Sequence, residues 1–242
     1  MTFYKRAILT TLIATYGAVC QAQVGVQKRS IHVNRRIADT TPIINQSTGQ
    51  RVTLEEYSQL SKADPHAYHL VPDYNEFGQP GSYVLRTATA EEHETHQFRD
   101  RNPAKQPKAG QIITPFSMTG LDGKIYRSAD LLGKVVILSF WISLDKPFWG
   151  DKEATQFKDA LKPTQAQEAP VVLGILNSEP SGVPLNSLPF MPIPNAYGFH
   201  GKYHITSIPT FVVIDKTGKV AANLQGPGVY DKLKEVLATV TK

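Results

Sequence analysis

The stretch GKVVILSFW, Gly133 to Trp141, decides the fold. From Val135 to Trp141 every residue is β-branched, aliphatic or aromatic except Ser139. A half-buried strand alternates apolar and polar side chains. A run without that alternation predicts a strand buried on both faces, and hence a sheet with helices on either side.

The flanking sequence supplies those layers. Trp149 to Leu161 predicts a helix, with Ala154, Phe157, Ala160 and Leu161 on one apolar face and Pro163 closing it. VVLGIL, Val171 to Leu176, predicts a second buried strand, and strand, helix and strand in that order predict a right-handed βαβ unit with parallel strands. Beyond a proline-rich stretch, Pro180 to Pro194, the sequence SIPT at Ser207 to Thr210 opens the strand FVVID. Lys216 to Lys219 turns it back into Val220 to Leu224, and a helix follows from Val229, with Leu233, Val236, Leu237 and Val240 at helical spacing. Upstream, Phe116 to Leu121 and Lys124 to Tyr126 flank Asp122-Gly123, a dipeptide that favours a hairpin turn. The sum is an α/β domain, a central mixed β-sheet flanked by helices.

The wording of two segments carries a resemblance. LDGKIYRSADLLGKVVILSFW, Leu121 to Trp141, and ITSIPTFVVIDKTGKV, Ile205 to Val220, together with the last helix, resemble the thioredoxin-like superfamily. The resemblance is to its exported redoxin, AhpC/TSA and TlpA-like thiol-disulfide oxidoreductases. It implies a thioredoxin-like fold, a CxxC pair opening a helix after Phe140-Trp141, and a cis-proline at Pro209 facing that pair.

Here the text after Trp141 reads ISLDKPFW, so Asp145 stands at the nucleophilic cysteine's position and Phe148 at the resolving one's. The family's chemistry needs a thiolate to attack and a second thiol to resolve the mixed disulfide, and a carboxylate does neither. The sequence holds one cysteine, Cys20. The residues therefore predict a redox-inactive domain with no catalytic residue and no cofactor. A groove beside Pro209 is expected to bind an extended peptide or an envelope protein through Trp141, Asp145, Phe148, Trp149, Ile208 and Pro209. One of Phe148 and Trp149 is expected to be buried and the other exposed. Asp145 is also expected to cap the following helix, with Pro147 in its first turn. The alternatives are the oxidoreductase or antioxidant activity that the family implies, a cysteine-independent enzyme pairing Asp145 with a histidine, and a structural part of a larger envelope assembly.

Residues 1–22 read as a cleavable export signal, with Lys5 and Arg6 ahead of the apolar run Ala7 to Val19 and small residues up to Ala22. That run is shorter than the ~20 residues needed to cross a bilayer, so no integral membrane segment is expected after cleavage. A lipoprotein reading of Cys20 is opposed by Val19, where a small residue is expected. An exported, periplasmic or secreted protein follows, one without cysteines to pair in an oxidising compartment. Residues 23–98 read as a small N-terminal module, 99–110 as a linker rich in charge and proline, and 111–242 as the thioredoxin-like domain. Within the module, Thr53 and Glu56 are spaced as a capping box between a short strand and a helix, and Tyr83 to Arg86 reads as a short strand.

Charge is nearly balanced, with 26 Lys and Arg against 21 Asp and Glu, and no basic patch points to nucleic acid. Glycine-rich phosphate loops, GxSxG elbows and HExxH pairs are absent from the sequence. His93 with His96, and His200 with His204 beside Tyr203, are each spaced to share a helix face, but a metal needs further ligands, and none is expected. The stretch from Pro180 to Pro194 is expected to be a rigid surface insertion, with a polyproline-type ligand as a further reading.

Overall fold

The structure is a computed structural model that describes residues 41–162, 169–180 and 184–240. The expected export signal lies outside these residues. The described residues fall within one compact unit, Ile37–Lys242.

The N-terminal module is a small sheet with a helix against it. Strands β1 (Ile43–Asn45) and β2 (Arg51–Val52) lead into helix α1 (Leu54–Ala63), followed by the long hairpin of β3 (Tyr68–Tyr74) and β4 (Pro80–Thr87). The strand order is β2-β1-β4-β3, with β1 and β4 parallel and the other pairs antiparallel. The capping box forms as expected. The Glu56 amide donates to the Thr53 hydroxyl at 3.1 Å, and the Thr53 amide donates to the Glu56 carboxylate at 2.7 Å. Ile43, Tyr83 and Leu85 make the buried centre, covered by Tyr57 and Leu60 of α1. A second capping box, Thr89 with Glu92, starts the short helix α2 (Ala90–Thr95).

The hairpin of β5 (Ser117–Thr119) and β6 (Ile125–Arg127) turns at Asp122-Gly123, where Gly123 takes the left-handed φ of 77° that such a turn requires. The main sheet follows: β7 (Val136–Trp141), helix α3 (Asp151–Leu161), β8 (Val171–Leu176), β9 (Met191–Ile193), helix α4 (Tyr197–Lys202), β10 (Thr210–Ile214), β11 (Val220–Gln225) and helix α5 (Val229–Val240). Its order is β11-β10-β7-β8-β9, with β7, β8 and β9 parallel and β10 and β11 antiparallel to their neighbours.

All six residues of β7 are buried, and their alternation divides the interior in two. Val136, Leu138 and Phe140 join the core under α4 with Phe199, Tyr203 and Ile205. Ile137 and Trp141 join the core under α3 and α5 with Phe157, Phe211, Leu233 and Leu237. Ser139 is tolerated because its hydroxyl donates to the Leu173 carbonyl at 3.0 Å and so is not itself left unpaired.

Two expectations are corrected. The stretch from Pro180 to Pro194 is not only a surface insertion, because Met191 to Ile193 is an edge strand of the main sheet. Its proline is allowed there because an edge strand needs hydrogen bonds on one side only. The helix after β7 begins at Asp151, with Gly150 as its N-cap residue, so Trp149 belongs to the preceding turn and to the core. Residues 99–110, read as a linker, make defined contacts. The segment crosses the domain surface, with a short 3-10 turn at Pro103–Lys105, and the Gly110 amide donates to the Val220 carbonyl at 2.8 Å.

The hairpin of the module seats on α4. Lys202 donates to the Tyr74 and Asn75 carbonyls at 3.2 and 3.1 Å, and the Ser117 amide donates to the Glu76 carbonyl at 2.8 Å. Two glycines of α4 allow this approach: a Cβ at Gly198 would overlap the Gly78 carbonyl, and one at Gly201 would overlap the Tyr74 ring. Gly198→Ala should therefore lower stability by about 1–3 kcal/mol, the usual cost of overpacking, read from the midpoint of urea unfolding. An unchanged midpoint would mean that the hairpin is not held against the helix.

Candidate functional site

The C-terminal end of β7 delivers the chain into an irregular turn, 142–150, rather than directly into a helix. The Phe148 and Trp149 amides both donate to the Asp145 carbonyl, at 2.9 and 3.1 Å, and the Asp145 amide donates to the Ser143 hydroxyl at 3.3 Å. The N-cap residue of α3 is Gly150, not Asp145, and Pro147 lies before the helix rather than in its first turn. The first turn of α3 carries Asp151 and Glu153 instead, both favourable at the positive end of the helix dipole. The Lys146–Pro147 and Ile208–Pro209 peptide bonds are cis, the second as the resemblance implied.

Of the aromatic pair, Phe148 is the exposed member at 37% and Trp149 the buried one at 5%. Trp149 meets Trp141 edge to face at 4.8 Å between centroids and Phe190 at 5.3 Å, inside an aromatic cluster that continues to Phe157 and Phe211. Trp141 is fully buried and lines no groove, which corrects the expectation that it binds. The reason is the pleat of β7: Trp141 points into the α3 and α5 core, two residues on from Ser139.

The six residues singled out by sequence do not share one surface. Phe148, Ile208 and Pro209 line a groove of about 570 Å³ between α3 and α5, together with Gln156, Tyr230 and Lys234. Asp145 opens on the other side of the 145–148 turn, into a hollow of about 670 Å³ bordered by Trp149, Lys158 and Leu188. Gln156, Tyr230 and Lys234 were not singled out, because polar positions on helices give no signal in a single sequence. Burial pushes the Tyr230 phenol above its ordinary pKa, with a further contribution from the Glu153 charge.

The histidine pairs separate. His200 is in α4, packed edge to face on Phe140 at 5.2 Å, whereas His204 lies beyond the helix with a left-handed φ of 51°. They share no helix face. His200 packs on the Phe140 side of the sheet and Asp145 borders residues of the Trp141 side, so the two do not form a catalytic pair. His93 pairs with Asp64 at 2.9 Å, while His96, just past α2 with a φ of 57°, stacks on His66 at 3.6 Å. Among the described residues no group of three His, Cys, Asp or Glu side chains is placed to hold a metal ion.

No family model matches the chain. Among curated proteins it is similar to the thiol-disulfide oxidoreductase ResA of Bacillus thuringiensis (strain Al Hakam), 28% identical over a 144-residue alignment that covers 54% of this chain and 78% of that protein. The same figures hold for ResA of Bacillus anthracis. The strand order β11-β10-β7-β8-β9, the helices on both faces and the proline turn before β10 agree with that likeness. The fold is thioredoxin-like. Among solved structures, StoA of Bacillus subtilis is 21% identical with a TM-score of 0.40, covering 52% of this chain and 98% of StoA. The thioredoxin Etrx1, an exposed lipoprotein of Streptococcus pneumoniae strain TIGR4, is 28% identical with a TM-score of 0.37, covering 50% of this chain and 99% of Etrx1.

His200 gives this thioredoxin-like domain a pH dependence. Burial, reinforced by the nearby Arg101 charge and opposed by a hydrogen bond to the Ile175 backbone, pulls its pKa down to about 3. An unfolded chain would take up a proton there near pH 6.5 and the folded one would not. The stability held by the neutral imidazole is therefore complete above about pH 6.5 and is lost as pH falls toward 3. Urea unfolding at pH 7.5 and pH 5 should show the native chain losing about 1–2 kcal/mol more than His200→Gln. Equal losses in the two chains would show that His200 is already charged in the folded state.

Proposed function

We propose that this chain is an exported protein whose thioredoxin-like domain performs no thiol chemistry. Its role is to bind an extended peptide or protein segment in the groove beside Pro209. The observation that carries the reading is the sequence of the turn after β7, where by the resemblance Asp145 and Phe148 stand in place of the family's cysteine pair.

The surroundings of those positions support the same reading. A reactive cysteine of this family is made nucleophilic by a helix N-terminus. Here α3 starts at Asp151, and residue 145 lies in a turn closed by its own carbonyl. The interior behind the site is filled by the Trp141 and Trp149 rings. What stays open is a groove with an exposed phenyl ring at Phe148, the Ile208-Pro209 turn, and polar groups of α3 and α5 along its walls. Such a mixture of apolar anchors and a polar rim suits an extended segment. Export is supported by the leader pattern of residues 1–22, and no helix among the described residues is long and apolar enough to cross a membrane.

Two measurements test the reading. In an insulin-reduction assay with dithiothreitol, the chain should leave the uncatalysed rate unchanged. The double variant Asp145→Cys/Phe148→Cys should also fall well short of thioredoxin, because its thiols would lack the helix N-terminus. Peptides selected on the immobilised chain from a random display library should lose about tenfold or more in affinity with Phe148→Ala, the scale of an interface anchor, and keep it with Asp145→Ala. Catalysed insulin reduction by the native chain would overturn the first half. Peptide affinity indifferent to Phe148 would overturn the second.

A further inference from the structure

The segment between module and domain is bonded on both sides, residue by residue. At its start it belongs to the module. The Arg99 amide donates to the Glu92 carboxylate at 2.9 Å, Arg86 donates to the Arg99 carbonyl at 3.2 Å, and Asp100 pairs with His69 at 2.6 Å. Glu92 is the fixed point of this end, 5% exposed and held by both guanidinium nitrogens of Arg86 at 2.6 Å. The hydrogen bonds from Arg86 hold its carboxyl far below the usual carboxylate range.

One residue further on, the segment belongs to the loop that enters Pro209. Arg101 donates to the Ile205 carbonyl at 2.7 Å, and the Asn102 amide donates to the His204 ring at 3.3 Å. Gln106, 7% exposed, donates to the His204 carbonyl at 2.9 Å and to the Thr206 hydroxyl at 3.0 Å. Its carbonyl accepts from Asn223 at 3.4 Å and Gln225 at 3.3 Å, so one amide spans the loop and β11. The loop needs such support, since His204 holds a left-handed φ of 51° that side chains other than glycine rarely adopt.

From this arrangement we infer that Gln106 and Arg101 are positioning residues for the Pro209 loop, through which the seating of the N-terminal module sets the shape of one wall of the groove. Thr206, bonded by Gln106, is three residues from Pro209, and Ser207 accepts a bond from the Thr210 hydroxyl at 2.6 Å on the far side of that proline. A shift of the segment is therefore passed along a short backbone stretch already tied at both ends. The consequence for binding rests on the groove reading above, but the coupling itself does not.

The test is hydrogen exchange on the full chain, since the His204 and Ile205 amides report opening of the loop through their bonds to the Gly201 and His200 carbonyls. Gln106→Glu keeps the shape and the acceptor but removes the donors, and it should raise exchange at 204–205 about tenfold or more with little change in the rest of the sheet. Arg101→Ala should do likewise, and Arg101→Lys, which keeps a donor, should restore much of the protection. Asp100→Asn, which weakens the bond to His69 at the module's end, should raise exchange at the same two amides. Should exchange at 204–205 stay at native rates in these variants, or rise only in step with global unfolding, the segment merely rests on the loop and the inference fails. Peptide affinity is not the readout, so this failure is distinct from failure of the groove reading.

Discussion

The burial of β7 on both faces is the constraint from which the rest of the structure follows. A strand with Phe140 on one side and Trp141 on the other must be covered twice, and neither cover can be omitted without exposing an aromatic ring. Helices α3 and α5 cover the Trp141 side, and α4 with the β5–β6 hairpin covers the other. At about 25 cal/mol per Å² of apolar surface removed from water, rings of this size account for a large part of what holds the domain together. The same strand ends where the candidate site begins, so the residues there follow directly on a strand buried along its whole length.

That geometry separates what the sequence placed side by side. Asp145 and Phe148 are three residues apart, yet the turn between them sends one to each of two hollows. A redox pair needs its two sulfurs within bonding reach. The turn also divides its two rings, leaving Phe148 in contact with solvent and placing Trp149 in the core.

Much of the fold was legible because it rests on periodicity. The strands at Val136, Val171, Thr210 and Val220 and the helix from Val229 all lie within a residue or so of their expected limits, and the Thr53–Glu56 box marks its helix start. What escaped had local reasons. Pro192 concealed β9, and Pro72 sits within β3, since a proline in a short run argues against a strand unless the edge is known. Trp149 looked like the first residue of α3 because a core tryptophan in a turn and one on a helix read alike. Of the candidate groove, Ile208, Pro209 and Phe148 were singled out through the family's wording, whereas Trp141 lies in the core because burial depends on the pleat. Gln106 left no trace at all. Its segment reads as a linker, because a chain lying on a surface is charged and proline-bearing whether or not one of its amides is locked underneath.

The edge strand β9 has one more consequence. A sheet that stops in an open strand offers its unpaired backbone to any other strand that drifts past. Here the middle residue, Pro192, has no amide proton to give, and its carbonyl already accepts from the Leu121 amide at 2.9 Å. The border is closed from within the same molecule. Along that side the sheet offers a passing strand, including one from another copy of this chain, no open ladder to extend.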